Sequence, residues 1–236
     1  MSPTFREFGA SATAVMADER MGGCNYDDLE TVVNEQQGAK GDMPGPIPVI
    51  NSDLIVDELQ IARSAVSGVD AVVVTYNVVE GGSTKVEFLI QCAYAVGLEV
   101  VVKVSDAAEA QGAVDVGARI LWVDVVGEDG GSVEEKTNVV NNLTVPEGET
   151  VCTIANILAN NNKQLEEVEE AWLCRDQGFN AVWVSDALYK QGNDPTEHAG
   201  AIIQSMTAKS SVKWASAKAK SGKGEGATEY LGDILM

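Results

Sequence analysis

The chain has 236 residues, 45% of them apolar and 22% charged, so it can bury a sizeable core and falls in the size range of one α/β barrel domain. Its 36 acidic and 16 basic side chains leave a formal net charge of -20, which argues against a general nucleic-acid or anionic-membrane surface, because both need positive charge to displace counterions. The same charge favours solubility at high concentration and leaves attraction to a basic protein partner open.

Short β-branched runs recur along the chain. They are "ATAVM" (Ala12–Met16), "IPVIN" (Ile47–Asn51), "AVVVTYNVV" (Ala71–Val79) and "EVVVKV" (Glu99–Val104), then "RILWVDVV" (Arg119–Val126), "TVCTIA" (Thr150–Ala155) and "AVWVS" (Ala181–Ser185). Most are nearly continuous in apolar residues, as expected of parallel strands covered on both faces. Between them, "DELQIARSAVSG" and "NKQLEEVEEAWLCRDQG" place apolar residues three or four apart and end in glycine, which predicts helices closed by an αL cap. The junctions "FGASATAV", "SGVDAVVV", "VGARILWV" and "QGFNAVWV" repeat one plan: glycine stops a helix, a short turn follows, and a strand begins. That is an internal βα repeat.

The 4 cysteines (Cys24, Cys92, Cys152 and Cys174) are scattered without a CxxC pair, and reduced thiols are expected. The single histidine, His198, opens a helix in "DPTEHAGAII". One histidine leaves no basis for a His-rich metal site or a Ser-His-Asp triad, so neither a metal nor a cofactor is expected. No apolar run reaches the roughly 20 residues of a membrane span, so no membrane insertion is expected. The N-terminal "MSPTFREFGASATAV" carries no secretory pattern.

Seven strands do not close an all-parallel barrel, which needs eight to remove its edges. The remaining candidate is "SVKWASAK" (Ser211–Lys218), after the helix-like "PTEHAGAIIQSMTAK". The expected fold is therefore a (β/α)8 TIM barrel forming one domain over residues 1–236, with its last unit cut short inside a helix.

"ATAVMADERMGGCNYDDL" followed by "PVINSDLIVDELQIARSAVSGVDAVVV" resembles the second to fourth strand units of indole-3-glycerol-phosphate synthase, with Asp53, Ile55, Asp57, Gln60 and Ile61 at the family's spacing. "AYAVGLEVVVKVSDAAEAQGAVDVGARILWVDVV" is similar to its fifth and sixth units, and "GFNAVWVSDALYK" to its eighth. The family's first strand, a pattern like AEVKRASPSKG, would precede all of these, but its counterpart here is "ASAKAKSGKG" (Ala215–Gly224), with Lys218 at the lysine. The resemblance thus implies a circularly permuted barrel with the family's first strand at the C-terminus, beside Ala12–Met16 on one side and Ala181–Ser185 on the other. One unit released from a run of tandem barrels would have the same layout.

The synthase closes an indole ring by decarboxylating and dehydrating a phosphorylated anilino-sugar, a step of tryptophan biosynthesis. The resemblance implies that lysines and glutamates at the strand ends act as general acids and bases. Position by position, most are replaced. The third-strand lysine becomes Ser52, the fifth-strand glutamate Lys103, the asparagine after the sixth strand Asp124, and a seventh-strand glutamate Ile154. The phosphate-binding glycine becomes Ser185, the first-strand glutamate becomes Ser216, and Lys218 survives. Losing one such group costs roughly 10²–10⁴-fold in rate, and several are lost together.

Lys103 has two readings. A desolvated lysine inside a barrel can form Schiff bases; alternatively it pairs with Asp124 on the next strand, as a salt bridge filling an abandoned site. Five lysines (209, 213, 218, 220 and 223) lie between residues 209 and 223 without an acid. "SGKGEG" there lacks the full P-loop spacing but makes Ser221, Gly222, Lys223 and Gly224, with Ser185, a candidate anion site. The expected role is that of a degenerate synthase-like barrel, a soluble acidic structural or interaction subunit with a protein partner, in cytoplasm or plastid. The alternative is an enzyme acting on a phosphorylated small molecule, a sugar-type substrate, as a carbon–carbon lyase of the synthase's type, with Lys103, Asp124 and Lys218 as candidate catalytic residues.

Overall fold

A computed structural model describes residues 1–21, 23–78, 80–127, 130–159, 167–189 and 195–207. Strands β1 (Thr13–Val15), β2 (Val49–Asn51), β3 (Ala71–Thr75), β4 (Glu99–Val104), β5 (Ile120–Val123), β6 (Cys152–Ile157) and β7 (Ala181–Val184) lie side by side in chain order, every pair parallel. Helices α1 (Ser2–Glu7), α2 (Tyr26–Gly38), α3 (Glu58–Val66), α4 (Gly82–Ala95), α5 (Ala107–Asp115), α6 (Val133–Val140), α7 (Glu167–Asp176) and α8 (Pro195–Thr207) alternate with them. This is the α/β repeat that the glycine-punctuated junctions predict. The long segment between β5 and β6 carries a helix of its own, α6.

The helix starts are written locally. Asn25 with Asp28, Asp57 with Gln60, and Ser132 with Glu135 form reciprocal capping boxes that satisfy otherwise orphaned N–H groups at the starts of α2, α3 and α6. Gly68 and Gly178, at φ +80° and +101°, end the turns after α3 and α7 in a conformation that residues with a Cβ rarely adopt.

The strands are covered on both faces. Val72, Val74, Val100, Val102, Leu121, Val123, Ala155 and Ile157 point outward into the large cluster shared with the helices. Ile50, Ala71, Val73, Val101 and Trp122 point the other way, joined by Ala12, Ile120, Ile154 and Trp183, in one inner cluster drawn from β2 through β7. A flat sheet would not bring those side chains together; the seven strands curl into a half-barrel.

The helical layer continues across the open side. α1 packs against both α8 and α2, and Arg6 on α1 pairs with Glu35 on α2 at 3.1 Å. Leu188, Ala199 and Ile203 form a cluster with Phe5 and Ala10, which binds the β7–α8 corner to α1. A Cβ on Gly200 would lie 2.6 Å from the Phe8 ring. Gly200→Ala is therefore expected to cost about 1–3 kcal/mol of stability, measurable by urea denaturation, as the ring is displaced. No helix among the described residues is long and apolar enough to cross a membrane.

Candidate functional site

In parallel α/β barrels the C-terminal ends of the strands carry the chemistry, since loops there can be varied without disturbing the core. Here those ends bring Ser52, Thr75, Lys103, Asp124, Asn156 and Ser185 to one end of the sheet. The register sets their heights: Thr75 lies opposite Lys103, Lys103 opposite Trp122, and Asn156 opposite Trp183.

The structure joins Lys103 to Asp124. The ammonium Nζ lies 2.5 Å from Asp124 Oδ2, with the two side chains 30% and 20% exposed. The other carboxylate oxygen, Oδ1, accepts from Asn156 Nδ2 at 2.5 Å. Both oxygens of Asp124 are thus engaged by strands on either side. The Lys103 ammonium also sits 4.7 Å from the centre of the Trp122 ring, over its face. Below, Trp122 stacks on Trp183 with centroids 4.2 Å apart and planes 17° from parallel. With β6 running between β5 and β7, the two indoles meet across the inside of the curl. Trp122 Nε1 and Asn156 Oδ1 are buried without a hydrogen-bond partner among the described residues.

This arrangement limits what the strand ends can do. Schiff-base formation needs a neutral amine free to approach a carbonyl, whereas the Lys103 ammonium is tied to a carboxylate and lies over an aromatic face. General acid–base catalysis needs two groups of opposite protonation flanking the reacting atom. Ser52 and Ile154 supply no titrating group at their positions, and Ile154 instead packs in the inner apolar cluster. Ser185 is exposed, while the neighbouring Asp186 accepts hydrogen bonds from the backbone N–H of Ala159, at 3.0 Å, and of Ala187, at 3.1 Å. That carboxylate fastens the end of β6 to the turn after β7. Lys218, Ser221, Gly222, Lys223 and Gly224 lie outside the described residues.

The sequence reading omitted Asn156, Trp122 and Trp183. Its seventh-unit strand stops at Ala155, whereas β6 runs on to Ile157 and carries Asn156 into reach of Asp124. Strand alternation was the available signal: Ile154 facing inward puts Asn156 on the same face. The stack needed the register of three strands, which no single segment contains.

Indole-3-glycerol phosphate synthase, as a family, matches residues 1–198. The indole-3-glycerol phosphate synthase of Chlorobium phaeovibrioides is 28% identical over 186 residues, covering 78% of this chain and 64% of that protein. That of Staphylococcus haemolyticus is 30% identical over 120 residues, covering 51% of this chain and 42% of its own length. The match to the first of these relatives thus spans less than two thirds of its length. Among solved structures, thiamine phosphate pyrophosphorylase from Pyrococcus furiosus superposes with a TM-score of 0.55 at 14% identity, over 88% of this chain and 91% of that one, a likeness of fold alone. With the family match running through all seven strands, the chain belongs to the indole-3-glycerol phosphate synthase family.

Proposed function

We propose that this chain is a non-catalytic member of the family, an acidic barrel that serves as a structural or interaction subunit of a larger assembly. One observation carries the reading: the Lys103 ammonium and the Asn156 amide are both committed to Asp124 above a stacked tryptophan pair, where a substrate would need open space and uncommitted proton donors. The replacements at Ser52 and Ile154 point the same way, since neither side chain moves a proton near neutral pH. A fold kept without its acid–base groups retains its surface, and with a net charge of -20 that surface suits a basic protein partner rather than nucleic acid. Expression in a tryptophan auxotroph lacking its own synthase should fail to restore growth. Growth at a level matching an authentic synthase would overturn the proposal.

The reading includes a permuted strand order, in which residues 211–218, which lie outside the described residues, would run between β7 and β1. Thr13 N–H donates to Pro48 O and Val15 O accepts from Ser52 N–H, so alternation turns the N–H and C=O of Ala14 away from β2. Cys152 N–H donates to Arg119 O, so alternation turns Ala155 toward β7; with Ala155 opposite Val182, the Trp183 N–H pairs with β6 and the Val182 N–H turns away from it. α8 ends at Thr207, whose Oγ1 lies 4.0 Å from a Cβ built on Gly9, in the turn entering β1. A strand following α8 would therefore start beside the open edge, and a right-handed crossover would lead it up between β7 and β1. In the full chain the Ala14 and Val182 amides should exchange with deuterium slowly, and deleting residues 208–236 should make both fast. Equal exchange in the two proteins would remove this part of the reading.

A second reading rests on the partial exposure of Lys103: an enzyme acting on a phosphorylated sugar-type substrate through that amine. Borohydride trapping of a substrate adduct on Lys103 would establish it.

A further inference from the structure

Away from Lys103 and Asp124, a groove of about 630 Å³ opens between the loop after β1, the N-terminal turn of α2 and the outer face of α3. Its size falls within the range of roughly 300–1,000 Å³ typical of small-molecule sites. On its floor the Tyr26 ring, 8% exposed, carries the guanidinium of Arg63 stacked 3.7 Å above its centroid. Stacking holds the guanidinium plane and leaves its N–H edges free to donate as a fork. Arg63 forms no ion pair with a carboxylate among the described residues.

The groove's other arginine differs. Arg20 Nε and one terminal nitrogen grip Asp18 at 3.0 and 2.9 Å, and those hydrogen bonds hold the Asp18 carboxyl below its ordinary pKa. Arg63 is thus the uncommitted cation of the groove. Two further carboxylates, Glu19 and Asp53, line it, and Leu54, Val56 and Leu59 form an aliphatic wall 46%, 42% and 75% exposed.

We propose that this groove binds a free apolar α-amino acid in its zwitterionic form, with the carboxylate on Arg63, the ammonium toward Glu19 and Asp53, and the side chain on the wall. The local charge pattern selects that class. A simple anion would meet Glu19 and Asp53 on a chain already strongly negative, and a simple cation would meet Arg63. A charge-free apolar ligand would cover the guanidinium and carboxylates without pairing them, which is costly. Asp53 already acts on Arg20 and accepts from the Leu54 N–H at 2.7 Å, and a molecule carrying both charges beside an aliphatic or aromatic body pairs Arg63 and Glu19 while covering the wall. The inference is independent of whether the strand ends retain catalysis, since neither Lys103 nor Asp124 lines the groove.

Titration calorimetry on the full chain with L-leucine and L-phenylalanine tests it. Saturable binding is expected with both. Leucinamide, which lacks the carboxylate, and N-acetyl-leucine, which lacks the ammonium, should bind about tenfold or more weakly, as for loss of one charge-assisted hydrogen-bonded contact. Arg63→Met should weaken leucine binding by about the same factor with an unchanged circular dichroism spectrum. Should that variant fail to fold, the comparison of leucine with its two blocked derivatives on the unaltered protein decides. No saturable binding of either amino acid, equal binding of leucinamide, or undiminished binding by a folded Arg63→Met protein would each overturn the proposal.

Discussion

Replacing Lys136 with methionine is expected to cost about 3–5 kcal/mol of folding stability, the loss typical when one partner of a buried ion pair is removed. Lys136 on α6 is fully buried, the largest such side chain described, and its Nζ donates to Glu170 on α7, itself 4% exposed at the side chain. The pair bridges two neighbouring helices of the outer layer, away from the strand ends. Removing the ammonium takes from Glu170 its cationic partner in a medium that solvates charge poorly, so the loss exceeds that of any exposed pair. The double variant Lys136→Met with Glu170→Leu should recover most of the stability, because apolar groups of similar volume replace a buried pair at little or no net cost. Urea denaturation of the two proteins provides the measurement. A single-variant loss under about 1 kcal/mol, the range of surface ion pairs, would show that water reaches the pair.

Trp122→Ala carries the second large effect. Its indole is 9% exposed, stacked on Trp183 and capped by the Lys103 ammonium, so truncation removes a large buried surface and leaves a cavity inside the curl. A loss of about 3–5 kcal/mol is expected, together with loss of the near-ultraviolet circular dichroism of the paired indoles. Trp183 is only half-buried, and Trp183→Ala should cost less while abolishing the same signal. If the two substitutions cost the same small amount, the stack is not a core element. The proposal for the strand ends would then lose its physical basis, since an indole that moves aside at little cost does not block a substrate.

The repeat of strand, helix and glycine could be read directly because each unit carries its own signals. "EVVVKV" is β4 residue for residue, and the capping boxes at Asn25, Asp57 and Ser132 are written within four residues. The family was readable for the same reason, as runs such as Asp53 to Ile61 keep their spacing. Contacts between units were harder. The Lys103–Asp124 contact joins adjacent strands, and opposite charges on neighbouring inward positions were enough to offer it as one of two readings. Asn156 and the Trp122–Trp183 stack depend on register across β5, β6 and β7, which is set by tertiary packing and not by local propensity. The Lys136–Glu170 pair was invisible for a related reason: a lysine and a glutamate on helical segments ordinarily face solvent, and only the packing of α6 on α7 buries both. The Arg63–Tyr26 groove likewise required α2 and α3 to be set side by side before an exposed arginine acquired an aromatic platform.

The central claim is that the strand ends no longer hold a working set of proton-transfer groups. Its most direct test is to incubate the purified full chain with the family's phosphorylated anilino-sugar and follow indole formation by fluorescence, beside an authentic synthase. No rate above the protein-free control is expected, and Lys103→Ala should leave that baseline unchanged. Turnover by the unaltered chain that disappears in Lys103→Ala would contradict the claim.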